Sequence, residues 1–403
     1  MEKKSKSIQK KLIFTIGAVL GSLLPITSAL AADQIMAVGI DRKFSYNLQT
    51  SKYTGHASGH DEVQFYNLSK PGNPRLIGSV PVENSVVGPP TNIAITPDQT
   101  IALIASAITT TPAETGSGWK MKAANVVTVV DLTSNPISVV GKVEVGKKAS
   151  GVSISADGKM ALVANRGSKS ISVLSINGHK VKLTDTLDMG EEVTSVAITP
   201  DGRRAFVAKF TSHRVAELSI DESGKVSYTG RDIPVGPYPW VVTIDRDGTR
   251  AMVTNIGKAG ASDGSAKTVS VIDLTAKPYA RTIEHVTVGD APEGLVFSPN
   301  GKFAAATILG GSYAVPKDAW YRRDVGQLSV LTRSDKGVSN ADTVKVGSFP
   351  EGIAFSSDSS HLYIGNFGSS SLSVVKLKSD GSVDSVKEIK LPGPPGSLRV
   401  AGQ

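Results

Sequence analysis

The sequence predicts an all-β protein: a seven-bladed β-propeller of four-stranded antiparallel blades, with its ring closed by the N- and C-terminal strands. Three observations predict it. One short phrase occurs six times, the copies lie 44 to 59 residues apart, and the two ends of the chain carry complementary parts of a seventh unit. A repeat period in this range marks a stacked or radial array of one supersecondary unit.

The phrase reads ITPDQTIALIAS from Ile95, ISADGKMALVAN from Ile154, ITPDGRRAFVAK from Ile198, IDRDGTRAMVTN from Ile244, FSPNGKFAAATI from Phe297 and FSSDSSHLYIGN from Phe355. Each copy is strand, turn, strand. In Thr199-Pro-Asp-Gly-Arg203 the Pro and Gly suit the dihedrals of a tight turn. A third β-rich run follows most copies, as in Ser170-Ile-Ser-Val-Leu174 and Leu372-Ser-Val-Val375, and then a weaker fourth. Four strands with no helical periodicity between them describe a propeller blade, whereas β-solenoid repeats are usually shorter.

The ends set the count. Pro394-Pro-Gly-Ser-Leu-Arg-Val400 reads as a lone first strand. Gln34-Ile-Met-Ala-Val-Gly39, Glu62-Val-Gln-Phe-Tyr66 and Arg75-Leu-Ile-Gly-Ser79 read as second, third and fourth strands lacking a first. Together they make one blade, and closing the ring leaves no sheet edge open.

Residues 1–31 stand apart. Five lysines precede an apolar run from Leu12 to Leu24, and Ala29-Leu30-Ala31 supplies a small-x-small cleavage site. This is the pattern of a secretory signal peptide, so the expectation is export to the periplasm or beyond, with the propeller occupying residues 32–403. No later segment is long and apolar enough to cross a bilayer. The leader's five Lys and one Glu account for half of the formal net charge, +8 falling to +4 without them. The chain has no cysteine, which excludes disulfides, thiolate chemistry and Cys-ligated metal centres.

Leu162-Val-Ala-Asn165, Met252-Val-Thr-Asn255 and Tyr363-Ile-Gly-Asn366 follow their turns at one fixed distance. On these residues the chain resembles the YVTN-repeat β-propellers, which include the periplasmic YncE-like proteins. The resemblance implies the fold across nearly all of residues 32–403 and says little of function. Arg204-Ala-Phe-Val-Ala-Lys209 departs from it, with Lys where Asn is expected.

In a meander blade the second-to-third loops and the links between blades share one face. All the long insertions fall there: 41–61, 106–125, 257–267 and 309–327. Long loops on a rigid ring are where binding usually resides. They carry Tyr46, Tyr53, His56 and His60, then Trp119, Lys120 and Lys122, then Tyr313, Trp320, Tyr321, Arg322 and Arg323. Aromatics with Arg are favoured contact residues, so Trp119, Trp240, Tyr313, Trp320, Tyr321, Arg322 and Arg323 are the expected ligand-binding set.

Aligned copies place one residue per blade where each first strand begins, at the same face: Thr91, Ser150, Thr194, Trp240, Glu293, Glu351 and Gly396. Glu293 and Glu351 are thus neighbouring carboxylates, suited to a cation or to acid–base work. With Asn255 and Asn366 they form a candidate divalent-cation set; the competing role for these Asn and Glu residues is to tie blade to blade through backbone hydrogen bonds. The pair His56 and His60 lacks a third ligand and reads as a solvated loop. No Ser-His-Asp order, Walker loop or dinucleotide fingerprint stands in a convincing context.

The leading functional expectation is a non-catalytic binding or interaction scaffold that holds a ligand or protein on the long-loop face. The alternative is a lactonase-like, metal-dependent hydrolase at the channel mouth, since propeller hydrolases of that sort resemble this chain in architecture. Nucleic acid, implied by the YncE-like resemblance and by Arg322, Arg323, Lys120 and Lys122 beside aromatics, ranks last because the net charge is low.

Overall fold

The computed structural model describes residues 34–402, apart from 48, 51, 115, 117, 258–261, 335 and 336; the expected leader lies outside the described residues. Seven four-stranded antiparallel sheets form a β-propeller, and a separate two-stranded hairpin joins Phe44–Asn47 to Lys52–Gly55. The innermost strands are Ile93–Ile95, Ala149–Ile154, Val193–Ile198, Pro239–Ile244, Pro292–Phe297, Pro350–Phe355 and Pro395–Val400, here numbered blades one to seven. The seventh blade is shared between the termini: Met36 pairs with Val400, Ala37 with Arg399 and Val38 with Leu398.

No blade buries its own surface. Along Met160–Asn165, Ala161 and Val163 pack with Leu103 and Ala105 of the preceding blade, whereas Leu162 and Ala164 pack with Val196 and Val207 of the next. Successive residues of a strand point to opposite faces, and both faces here are covered. That is why the second strands read as continuous apolar runs rather than alternating ones. Hydroxyls bridge the seams as well: Thr194 Oγ1 donates to Trp240 O at 2.8 Å and Thr307 Oγ1 to Glu351 O at 3.1 Å.

The repeated Asp is structural. Asp157 Oδ1 accepts from Ser155 Oγ at 2.6 Å and from Lys159 N at 3.0 Å, and Asp201 Oδ1 accepts from Thr199 Oγ1 and Arg203 N. These bonds, the Ser155 one foremost, hold the Asp157 carboxyl below the usual range. The following residue is left-handed in every copy described, including Gln99 and Ser359, which stand where others have Gly.

One expected loop is a strand pair instead. Ile101–Pro112 and Trp119–Asp131 continue pairing as far as Pro112 opposite Trp119, so most of 106–125 is a hairpin arm. Its Ile and Thr residues are β-branched and sustain the ladder beyond the blade.

Two stability outcomes follow. Gly202 has φ 69 and open space where a Cβ would stand, so Gly202→Ala should cost about 1–2 kcal/mol from dihedral strain alone. Urea unfolding that leaves the midpoint unmoved would refute it. Leu398→Ala, in the closing strand and fully buried, should cost about 2–5 kcal/mol by the same measurement.

Candidate active site

The two Pro-Glu-Gly segments build one end of the channel. Ala291 (φ 53) and Phe349 (φ 52) are left-handed, and each turns the chain into its inner strand just before the proline. A bulky residue such as Phe349 is rarely found there, and such strain persists only where surrounding structure imposes it. Thr254 Oγ1 then holds Glu293 O at 3.1 Å, and Thr307 Oγ1 holds Glu351 O while accepting from Gly294 N at 2.7 Å. A Cβ on Gly294 would stand 2.4 Å from Glu351 O, and one on Gly352 would stand 2.4 Å from Leu398 N. Only glycine permits this approach, and the approach brings the two glutamates together.

Both side chains are removed from solvent, Glu293 at 7 % and Glu351 at 3 % exposure. Burial pushes the Glu293 carboxyl up to about 8, against the pull of the Trp240 N–H and the Arg166 charge. Burial also drives Glu351 well above the carboxylate range, and repulsion from Glu293 adds to it. The pair therefore holds at least one proton at neutral pH, as like charges at short range must. Glu351 Oε2 is buried with no hydrogen-bond partner. The Trp240 N–H is near enough to Glu293 to favour its ionised form, yet has no partner within hydrogen-bonding distance. Arg166 lies 4.9 Å over the Trp240 ring and is held by Glu192 Oε1 at 2.7 and 2.9 Å.

Aromatic rings cover this end. Tyr313 stacks on Phe349 at 4.0 Å, Phe367 lies 5.1 Å from Phe349, and Tyr46 and Tyr53 of the hairpin meet Tyr313 at 5.1 and 5.7 Å. Tyr53 is 39 % exposed, but its hydroxyl is turned inward beside that of Tyr313, and burial raises both phenols far above their ordinary value. The hairpin is anchored by a buried ion cluster in which the Lys43 ammonium contacts Asp41, Asp61 and Asn84 O. Burial raises Asp41 to about 6 despite Lys43, with Asp61 adding to the rise.

Of the seven residues expected to bind a ligand, Trp240 and Tyr313 converge on the glutamates. Trp119 lies at the tip of the hairpin arm. Trp320, 77 % exposed, packs edge-on against Tyr321, and Arg323 Nη1 caps the carbonyls of Trp320 and Arg322. These four belong to the outer 309–327 segment rather than to the buried pair.

The structure ties both asparagines to their own blades through their amide nitrogens. Asn255 Nδ2 donates to Ser270 Oγ at 2.8 Å and Asn366 Nδ2 to Ser373 Oγ at 2.8 Å, both on the third strands of their own blades. In each, the amide oxygen, the atom a cation would take, is buried with no hydrogen-bond partner. These bonds engage the amide nitrogens alone and leave the oxygens able to accept, so they do not exclude the four residues as a cation's donors. Among the described residues no group of three His, Cys, Asp or Glu is placed to hold a metal ion. Lys209, where Asn is expected, is held by Asp232 at 2.8 Å and Glu191 at 3.1 Å instead. Sequence reasoning missed Arg166, Phe349 and Phe367; the signal for two of them was an aromatic directly beside Pro350 or Asn366.

Comparison with known proteins gives a class before any particular relative. Residues 59–243, less than half of the chain, match the family model described as lactonase, 7-bladed beta-propeller. No curated protein matches in sequence. Among solved structures, the chain is similar to a Bacteroides fragilis protein assigned provisionally as a 6-phosphogluconolactonase, with TM-score 0.67, 15% identity, and 93% of this chain and 99% of that one covered. The periplasmic gluconolactonase PpgL of Pseudomonas aeruginosa gives TM-score 0.63 at 17% identity, covering 92% and 99%. Hydrazine synthase of Kuenenia stuttgartiensis gives 0.58 at 19%, covering 79% and 91%. At these identities the structural likenesses speak for the propeller alone. The family match is to lactonases, not to the YVTN-repeat, YncE-like proteins, so only the propeller part of that resemblance stands. It also overturns the expectation of a non-catalytic binding scaffold in favour of the hydrolase alternative.

The raised Glu293 pKa has a signed consequence. The folded state keeps a proton that the unfolded chain releases above about 4.5, so stability should fall as pH rises from about 4.5 and level off above about 8. In Glu293→Gln the decline in Tm across this window should be shallower than in the unaltered protein. Parallel curves would show that Glu293 ionises normally.

Proposed function

We propose that the protein hydrolyses a lactone at the covered end of its channel, with Glu293 and Glu351 as the acid–base pair. The observation that carries this reading is the buried glutamate pair with Glu351 Oε2 left unsatisfied. An orphaned polar atom at this depth costs about 1–3 kcal/mol and calls for a reason beyond packing. The match of residues 59–243 to the lactonase family supports the same activity, as do the names borne by two of the similar structures.

The chemistry needs both states of the pair. The ionised glutamate takes a proton from water as the water oxygen bonds to the lactone carbonyl carbon. The protonated glutamate gives its proton to the ring oxygen as the carbonyl carbon–oxygen bond breaks, releasing a hydroxy acid. One carboxyl ionised and one protonated is the state reached as pH rises toward about 8, where Glu293 loses its proton and its charge helps Glu351 keep its own. The unpartnered Trp240 N–H and the phenols of Tyr53 and Tyr313, which feel the Glu351 charge, are donors for the developing carbonyl charge. The aromatic cover excludes water that would otherwise level these shifts. No step is routed through a cation; one bound at the mouth would draw on Glu293, Glu351 and the unpartnered amide oxygens of Asn255 and Asn366.

Glu293→Gln and Glu351→Gln should each lower hydrolysis of δ-gluconolactone, measured above its spontaneous rate, by about 10²–10⁴-fold. Unchanged rates in folded variants would remove the pair from the mechanism. Arg166 is already held by Glu192, so an uncharged lactone should be turned over faster than its 6-phosphate. We propose export on the pattern of residues 1–31, which N-terminal sequencing of the protein from cells would test by finding Ala32 first.

A further inference from the structure

The opposite end of the channel holds a second feature that the lactonase reading does not use. A cavity of about 590 Å³ opens there, bounded by the far ends of the inner strands and by their turns. Arg399 lines it. In the closing strand Arg399 pairs with Ala37, the third residue of its neighbouring strand. Carried round the ring by the same register, this position holds Ala94, Ser153, Ala197, Thr243, Val296 and Ala354. Six blades offer a small or short side chain, and the seventh projects a guanidinium into the space they leave.

That guanidinium is poorly answered. The hydrogen bond it makes runs from Nε to Ile93 O at a long 3.4 Å, and among the described residues it has no ion-pair partner. Asp245 also lines this end, but its carboxylate accepts from Thr249 and Arg250 and pairs with Arg333 at 3.3 Å. Burial without a compensating charge lowers Arg399 to about 10, which leaves it cationic at neutral pH. Val242 and Leu295 contribute apolar wall. A planar cation with free N–H groups beside an apolar wall suits a carboxylate, which it can grip by two parallel bonds.

The geometry points to a second binding site, on the turn face of the channel, for a small organic carboxylate with a short apolar body, its carboxylate seated on Arg399. Arg399 stands three residues along its strand from the level of the glutamates, roughly 10 Å at the usual strand rise, so the two sites are separate.

Isothermal titration of the full-length protein with hexanoate, and separately with inorganic phosphate, tests the site. Hexanoate should bind one-to-one, Arg399→Met should weaken it at least tenfold, and Arg399→Lys should recover part of the loss. Glu351→Gln should bind hexanoate as the unaltered protein does, which separates this site from the mouth. Exchanging an unpaired buried cation for an apolar side chain seldom unfolds a protein, and lactone hydrolysis retained in Arg399→Met would report its integrity. Equal hexanoate affinity with and without Arg399 would overturn the proposal, as would no binding to the unaltered protein. Phosphate binding with no hexanoate binding would overturn the assignment to a carboxylate.

Discussion

The structure depends on one constraint: each sheet is apolar on both faces and can be covered only by its neighbours. Ala161 and Val163 look to one blade, Leu162 and Ala164 to the other, and the same division recurs around the ring. A linear stack of such sheets would end in two bare faces. Bringing Pro395–Val400 beside Met36 and Val38 removes both ends at once. The hydrophobic term therefore favours a closed ring over any partial array.

Closure also determines where chemistry can occur. The inner strands approach so closely that Gly294 and Gly352 have no room for a Cβ, and this proximity sets Glu293 beside Glu351. Each carboxyl loses its hydration, and neither gains a cation in direct contact. Arg166, the nearest one, is neutralised by Glu192. The low local dielectric that makes the pair costly also makes it effective, because an uncompensated carboxyl holds its proton at neutral pH. The hairpin over the mouth preserves this state, and its hold on the ring is the buried Lys43 cluster rather than apolar packing alone.

The channel is consequently polarised along its axis. One end carries two carboxyls under an aromatic cover; the other is an open cavity lined by Arg399, with Arg246 and Asp245 at its turns. The difference arises from single positions in an otherwise regular register. Where six blades have a short residue, the closing strand has Arg399, and where five blades lack a carboxylate, two have Glu. Repetition supplies the frame, and exceptions to it supply the chemistry.

The amino-acid sequence by itself determined the blade count, the strand order and the face that bears the insertions. These follow from local pattern: turn residues at fixed spacing, short β-rich runs between them, and complementary ends. It also marked Glu293, Glu351 and Trp240 as one level of the ring, since equivalent positions in a repeat are equivalent in space. Only the tertiary structure decided which loop residues join them. Tyr53, Tyr313, Phe349 and Phe367 converge from four separate segments, while Trp320 and Arg323, equally prominent in sequence, remain on the rim. The structure also set how the asparagines lie: Nδ2 of Asn255 and of Asn366 is tied to the third strand of its own blade, which leaves each Oδ1 without a hydrogen-bond partner. Spacing along a chain fixes the level of a residue on the ring; burial and hydrogen bonding decide where its side chain goes.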